Sequence, residues 1–169
     1  MNSFSKIKNI RFLILDIDGV LTDGGIYYTE KGDVFKKFHV RDGVGIMKLV
    51  NEGYYVGFLT SGSHSVIVKN RAKLLGVQFV FCSKNPRKSF YKEKLGVVKG
   101  WLRQTKLSFS QVAYVGDDIN DLELMAEAGF TACPADAVPR VKKAVDVILQ
   151  KKGGEGCVRE CIERFIISV

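Results

Sequence analysis

Short apolar runs alternate with amphipathic stretches along most of the chain. The runs at 11–15 (RFLIL), 54–59 (YYVGFL), 77–81 (VQFVF), 111–115 (QVAYV) and, more weakly, 146–149 (DVIL) have the length and residue content of buried strands. Between them, apolar positions recur at helical spacing over 42–52, 64–75, 88–105, 119–128 and 137–144. This alternation predicts an α/β fold: a doubly wound, Rossmann-like, mainly parallel sheet covered by helices on both faces. Residues 25–38 (GIYYTEKGDVFKKF) depart from the rhythm, with two β-rich halves around a Glu-Lys-Gly-Asp turn, which is a hairpin signal. Too short for a domain and too apolar to stay exposed, this insertion is expected to form an interface. No repeat, low-complexity tract or Pro-rich linker divides the chain, so 1–169 reads as one domain, closed by a tail helix over about 156–168.

In open α/β sheets, ligands bind beyond the carboxyl ends of the strands. Asp16 and Asp18 follow the first run. Thr60, Ser61 and Gly62 follow the second. Gly116, Asp117 and Asp118 follow the fourth, with Asp121 one turn into the next helix. Carboxylates gathered in a low-dielectric site repel one another unless a cation lies among them, and hard oxygen ligands suit Mg²⁺. The hydroxyls and the glycine turn offer O–H and N–H donors to a phosphate, whose charge a lysine from the following helix can neutralise. Asp16, at the strand tip, is placed to attack phosphorus. Asp18 is placed to protonate the leaving alkoxide and then to deprotonate the attacking water. The chemistry this spells is double displacement through an aspartyl phosphate.

Composition narrows the partners. The 169 residues are 46% hydrophobic, enough for one full core, and carry a net charge of +8. The lysines are spread along the chain rather than interleaved with aromatics in one stripe, which argues for a solvated basic surface that concentrates anionic substrates and against nucleic acid. No apolar run approaches the roughly 20 residues that cross a bilayer, and the polar start MNSFSKIKN lacks a signal-type stretch, so a cytoplasmic protein without membrane contact is expected. The four cysteines form no CxxC pair and read as reduced thiols, with Cys157 and Cys161 on one apolar helix face.

Two of the strings after strands resemble motifs I and IV of the haloacid dehalogenase superfamily: DIDGVLTDG (16–24) and YVGDDINDLELM (114–125). DIDGVLTDGGIYY, KKFHVRDGVGI, PADAVPRVKKAVDVIL and KKGGEGCVRE extend the resemblance over nearly the whole chain to one capless branch, the 3-deoxy-D-manno-octulosonate 8-phosphate (KDO 8-phosphate) phosphatases. FHVRDGVGI and GGEGCVRE carry most of that specificity. The resemblance implies Asp16 as nucleophile and metal ligand, and Asp18 as acid/base and ligand through its carbonyl. It implies Asp117 as the third ligand, with Asp121 and Asp118 in support, and substrate contacts from Arg41, Asp42 and Arg159. It further implies a Mg²⁺-dependent phosphatase of a sugar-acid phosphate serving lipopolysaccharide precursor synthesis. The assembly implied is a homotetramer, with the hairpin at its interface and the tail reaching a neighbour's active site.

Two departures stand out. Where the family reads Ser/Thr-Gly-Arg, this chain reads LTSGSH (59–64) without arginine; Thr60 keeps the strand register and Ser61 the spacing to the helix, with Thr60 preferred. The 82–93 segment is longer than the family's link, and counting back from VAYVGDD selects Lys94 as the phosphate-binding lysine, with Lys84, Lys88 and Lys92 nearby. Plainer roles compete: Asp23 and Asp33 as turn residues, Asp118 as a cap for the helix near Ile119, and Asp121 as cap or support. Trp101 reads as core, and His39 and His64 as non-ligands. Other functions to weigh are phosphatases for a nine-carbon sialic-type acid 9-phosphate, a weakened binding or oligomerisation module, and a polynucleotide 3′-phosphatase.

Overall fold

The computed structural model describes residues 7–32, 34–62, 65–83 and 92–167. The chain runs through β1 (Phe12–Leu15) and a tight turn at Ile17–Leu21 to a two-stranded antiparallel hairpin, β2 (Tyr27–Tyr28) and β3 (Val34–Phe35). It continues as α1 (Val40–Asn51), β4 (Tyr55–Thr60), α2 (Ser65–Leu75), β5 (Phe79–Cys82), α3 (Lys92–Thr105) and β6 (Val112–Val115). A short 3₁₀ turn at Ile119–Asp121 leads into α4 (Leu122–Glu127), β7 (Phe130–Cys133), α5 (Pro139–Lys142), β8 (Val147–Ile148) and α6 (Cys157–Cys161), which a further turn at Ile162–Ile166 extends. The expectations for Asp33, His64, Lys84 and Lys88, and for most of the 82–93 segment, lie outside the described residues.

Six parallel strands form the main sheet in the order β5-β4-β1-β6-β7-β8. Alternate residues of each central strand enter opposite cores, which is why the strand runs are apolar throughout. Leu13, Leu15, Ala113 and Val115 pack with α1, α2 and α6; Phe12, Ile14, Val112 and Tyr114 pack with α3, α4 and α5. Trp101 is core as expected, its ring centroid 6.1 Å from Phe12 and 5.5 Å from Phe79.

One strand was not expected from the sequence. β7 is four residues long, and only Phe130 and Thr131 favour a strand before Ala132 and Cys133, too short a run to stand out between Gly129 and Pro134. The helix expected over 119–128 is instead the 3₁₀ turn followed by the six residues of α4. His39 begins α1, where its side chain accepts a hydrogen bond from the Arg41 N–H at 3.3 Å, a capping role.

From β1 the chain winds outward through β4 to β5, then returns to the other side of β1 as β6 and winds to β8. The reversal leaves a crevice beyond the carboxyl ends of β1 and β6, the binding position of doubly wound sheets.

Residues 153–167 pack on their own chain. The Gly154 N–H donates to Val20 O at 3.0 Å, and Cys157 Sγ donates to the same oxygen at 3.3 Å. A Cβ at Gly153 would stand 2.0 Å from Gly19 O, and Gly154 has φ +64°, so the two glycines are what allow the tail backbone to meet the turn after β1.

Candidate active site

The β1–β6 ladder runs one residue past β1, with the Asp16 N–H donating to O of Val115, the last residue of β6, at 3.0 Å. This sets the first acid of one strand end beside the loop that carries Asp117. Gly19 makes the turn between them possible. Its φ is +90°, and a Cβ there would lie 2.1 Å from Asp117 Oδ2.

Beneath these acids lies a closed polar network. Lys94, from the first turn of α3, is 2% exposed, and its Nζ donates to Asp16 Oδ1 at 2.7 Å and to Asp121 Oδ1 at 2.6 Å. The Tyr114 hydroxyl donates to the same Asp121 oxygen at 2.6 Å. Asp121 Oδ2 accepts from the backbone N–H of Asp117 at 2.9 Å and of Asp118 at 3.3 Å. Asp118 in turn accepts from the Ile119 N–H at 2.7 Å, so it caps the turn as the plainer reading had it. Asp121 both caps the turn and fixes the Asp117 loop.

Burial pushes the Asp16 carboxyl up to about 7, with Lys94 opposing and Asp121 and Asp18 reinforcing the rise. Burial, then the charges of Asp16, Asp121 and Asp118, push Asp117 up to about 8. Burial alone would lower Lys94; Asp16 and Asp121 outweigh it and hold the ammonium charged. One carboxylate oxygen from each of Asp16, Asp117 and Asp121 lies within 4.8 Å of the others. Distance alone makes this a triad for a cation, but the four donors on Asp121 already occupy its oxygens, which leaves Asp16 and Asp117 as the pair turned to the cleft. Two mutually repelling carboxylates of hard oxygen, Asp16 buried and Asp117 half-buried, fit a small divalent cation such as Mg²⁺.

That cleft, of about 270 Å³, is lined by Asp16, Asp18, Thr60, Ser61, Gly62, Asp117, Asp118 and Asn120. Thr60 Oγ1 donates to Asp18 Oδ2 at 3.3 Å and accepts from the Gly62 N–H at 2.9 Å. Thr60 is thereby committed to the acid and the glycine turn, and Ser61 and the turn amides line the same cleft. Lys36, from the hairpin, pairs with Asp18 Oδ1. Sequence reasoning missed Lys36, Tyr114 and Asn120. The signals were present for the first two: a Lys-Lys pair inside KKFHVRDGVGI, and a lone hydroxyl in a fully buried strand two residues before Gly116.

Arg41, Asp42 and Arg159 are not brought to the acid cleft. Arg41 and Arg159 line a separate cleft of about 530 Å³ between α1 and the tail. Asp42, expected to touch substrate, is 1% exposed and accepts from the Arg159 N–H at 2.7 Å, so within this chain it anchors the tail. Burial raises its pKa against the pull of the Arg159, Gly156 and Val158 amides and of His39. Asp23 is a turn residue as expected, accepting from the Gly25 N–H at 3.1 Å and the Tyr27 hydroxyl at 2.6 Å.

A doubly wound sheet with carboxylates after its first strand and after the strand beyond the reversal defines a haloacid dehalogenase-like hydrolase, and the sequence profile described by that name matches residues 91–160. The 3-deoxy-D-manno-octulosonate 8-phosphate phosphatase of Haemophilus influenzae is 41% identical over 161 residues, 95% of this chain and 85% of that protein. The chain belongs to the family of these phosphatases. The solved structure of the Yersinia pestis phosphatase superposes with a TM-score of 0.87 at 34% identity, covering 95% of this chain and 82% of the other. The Moraxella catarrhalis phosphatase, solved in complex with magnesium, phosphate and KDO, gives 0.86 at 33% identity, covering 95% and 87%.

Proposed function

We propose that this chain hydrolyses 3-deoxy-D-manno-octulosonate 8-phosphate to KDO and inorganic phosphate, with Mg²⁺ as cofactor, in lipopolysaccharide precursor synthesis. The observation that carries the reading is the meeting of Asp16, Asp18, Asp117 and Lys94 at the reversal of the sheet, in a chain 41% identical to a phosphatase of that name. Asp16 is the nucleophile and Asp18 the acid/base. Ser61 and the Gly62 turn bind phosphate, with Thr60 lining the cleft beside them and Lys94 facing the phosphoryl group through Asp16, and Asp16, Asp18 through its carbonyl, and Asp117 would hold the metal. When bound, Mg²⁺ supplies charge neutralisation of a phosphoryl oxygen.

The residues do the rest. An Asp16 oxygen forms a bond to phosphorus while the bond to the sugar oxygen breaks, and that oxygen takes the Asp18 proton. Water, deprotonated by Asp18, then releases phosphate from the acyl phosphate. Lys94 balances charge at the nucleophile, and Asp121 holds the Asp117 loop.

The assembly that fits this reading is a cytoplasmic homotetramer built on the hairpin, which leaves Ile26, Tyr28 and Phe35 more than half exposed, at 63%, 64% and 55%. Contacts of substrate with Arg41 and Arg159 then come from a neighbouring copy. No helix among the described residues is long and apolar enough to cross a membrane.

The test is phosphate release from KDO 8-phosphate with and without Mg²⁺, beside a panel of sugar and nucleotide monophosphates and a nine-carbon sialic-type acid 9-phosphate. Metal-dependent kcat/KM highest for KDO 8-phosphate is expected. A clear preference for the nine-carbon acid would reassign the substrate, and hydrolysis of no ester would return the chain to a binding module.

A further inference from the structure

Asp18 is gripped at both carboxylate oxygens: Thr60 Oγ1 donates to Oδ2 at 3.3 Å, and Lys36 Nζ pairs with Oδ1. The Lys36 side chain is 6% exposed, whereas that of Asp18 is 36% exposed. A lysine on a short surface hairpin ordinarily keeps its ammonium in water, so its burial against one carboxylate is a built contact. The hairpin base is fixed to the same loop that carries Asp18. Thr22 bridges Phe38, and Lys37 Nζ lies 3.5 Å from Asp23.

We propose that Lys36 is a positioning residue for Asp18, orienting its carboxyl group towards the leaving oxygen. This rests on the phosphatase reading above. In the first half-reaction the Asp16–phosphorus bond forms, the phosphorus–oxygen bond to the alcohol breaks, and the electron pair left on the alcohol oxygen takes its proton from Asp18 Oδ2, which in the acid form carries that proton and no longer accepts from Thr60, while Oδ1 stays on Lys36. A poor leaving group needs that proton; an aryl oxide does not. Without Lys36, the half-open Asp18 keeps only the long Thr60 contact and turns into solvent, and the loss falls on esters of poor leaving groups.

The experiment compares kcat/KM, which reports the steps up to alcohol release, for an alkyl and an aryl ester in wild type and Lys36→Met. The alkyl ester is the best substrate of the panel, whichever sugar it carries, and the aryl ester is p-nitrophenyl phosphate. A changed sugar preference therefore overturns the substrate assignment without touching this test. The variant is expected to lose about 100-fold on the alkyl ester, the scale of a displaced catalytic group, and no more than about 3-fold on the aryl ester, with Lys36→Arg recovering most of the loss. Equal losses on both esters would overturn the proposal by making Lys36 a phosphoryl contact, and an unchanged alkyl rate would overturn it outright. If the methionine variant does not fold, Lys36→Gln, which keeps a donor without the charge, is read by the same two ratios.

Discussion

Lys94 and Asp121, 27 positions apart, meet at 2.6 Å with side-chain exposures of 2% and 0%. Their contact ties the first turn of α3 to the loop after β6, and through Asp16 it reaches the end of β1. An ammonium taken out of water costs several kcal/mol, which only close partners offset. Two carboxylates meet that need here. The same lysine also keeps Asp16 and Asp121 together at a separation where they would otherwise repel.

Lys94→Met is therefore expected to lose about 3–5 kcal/mol, because it strands buried carboxylates rather than merely deleting a contact. Urea denaturation checks this. Tyr114→Phe, which removes one neutral donor from Asp121 and leaves three, is the contrast: about 1.5–3 kcal/mol should be lost with turnover largely kept. A Lys94→Met protein as stable as wild type would contradict the account of the network.

Asp16 and Asp117 titrate at about 7 and about 8, both above the ordinary carboxyl value of 3.8. At these two groups the folded, metal-free protein binds more protons than the unfolded chain across about pH 4 to 8, and their contribution to stability falls as pH rises through that window. Mg²⁺ needs the ionised form. The increase in melting temperature on adding Mg²⁺ should be larger at pH 8 than at pH 5, with about 2.7 kcal/mol gained at 100 times Kd. Equal shifts at the two pH values would place the ion elsewhere.

Asp16→Asn removes one buried negative charge while keeping the shape of the side chain. Turnover should vanish, and the metal-free protein at pH 8 should be as stable as wild type or more so, since the repulsion on Asp117 is relieved. Calorimetry and phosphate release together separate this from unfolding. Substantial activity in a clean preparation would remove Asp16 from the nucleophile role.

What could be read in the sequence was whatever depends on local order. The apolar runs located five of the six sheet strands, and the acids directly after them marked the cleft. β7 escaped because its strand-favouring run is only Phe130 and Thr131, and Ala132 and Cys133 are strand by pairing with β6 and β8. Lys36 and Tyr114 stand out locally as a Lys-Lys pair and a hydroxyl in an apolar run, but which acids they meet, Asp18 and Asp121, is set by the docking of the hairpin and by the face of β6. HVRDGVGI places Asp42 beside Arg41 as a substrate contact, and its carboxylate accepts from Arg159, 117 positions along the chain, a pairing no local string contains.

That Asp42 contact gives the last prediction. The Arg159 N–H sits in the first turn of α6, where an amide lacks a helical partner, and a buried carboxylate accepting it at 2.7 Å both satisfies the donor and fixes the tail against α1. Asp42→Ala should cost about 1–3 kcal/mol from the amide left unpaired. The loss should be local, since the tail keeps the Gly154 and Cys157 bonds to Val20, the Gly153 N–H bond to Asp136 and the apolar contacts of Val158, Cys161 and Ile162. Trypsin, which finds Lys151 and Lys152 exposed, should then cut the variant there several-fold faster than wild type while the sheet core stays resistant. Cleavage at the wild-type rate would show that the tail is held by its glycines and apolar face alone.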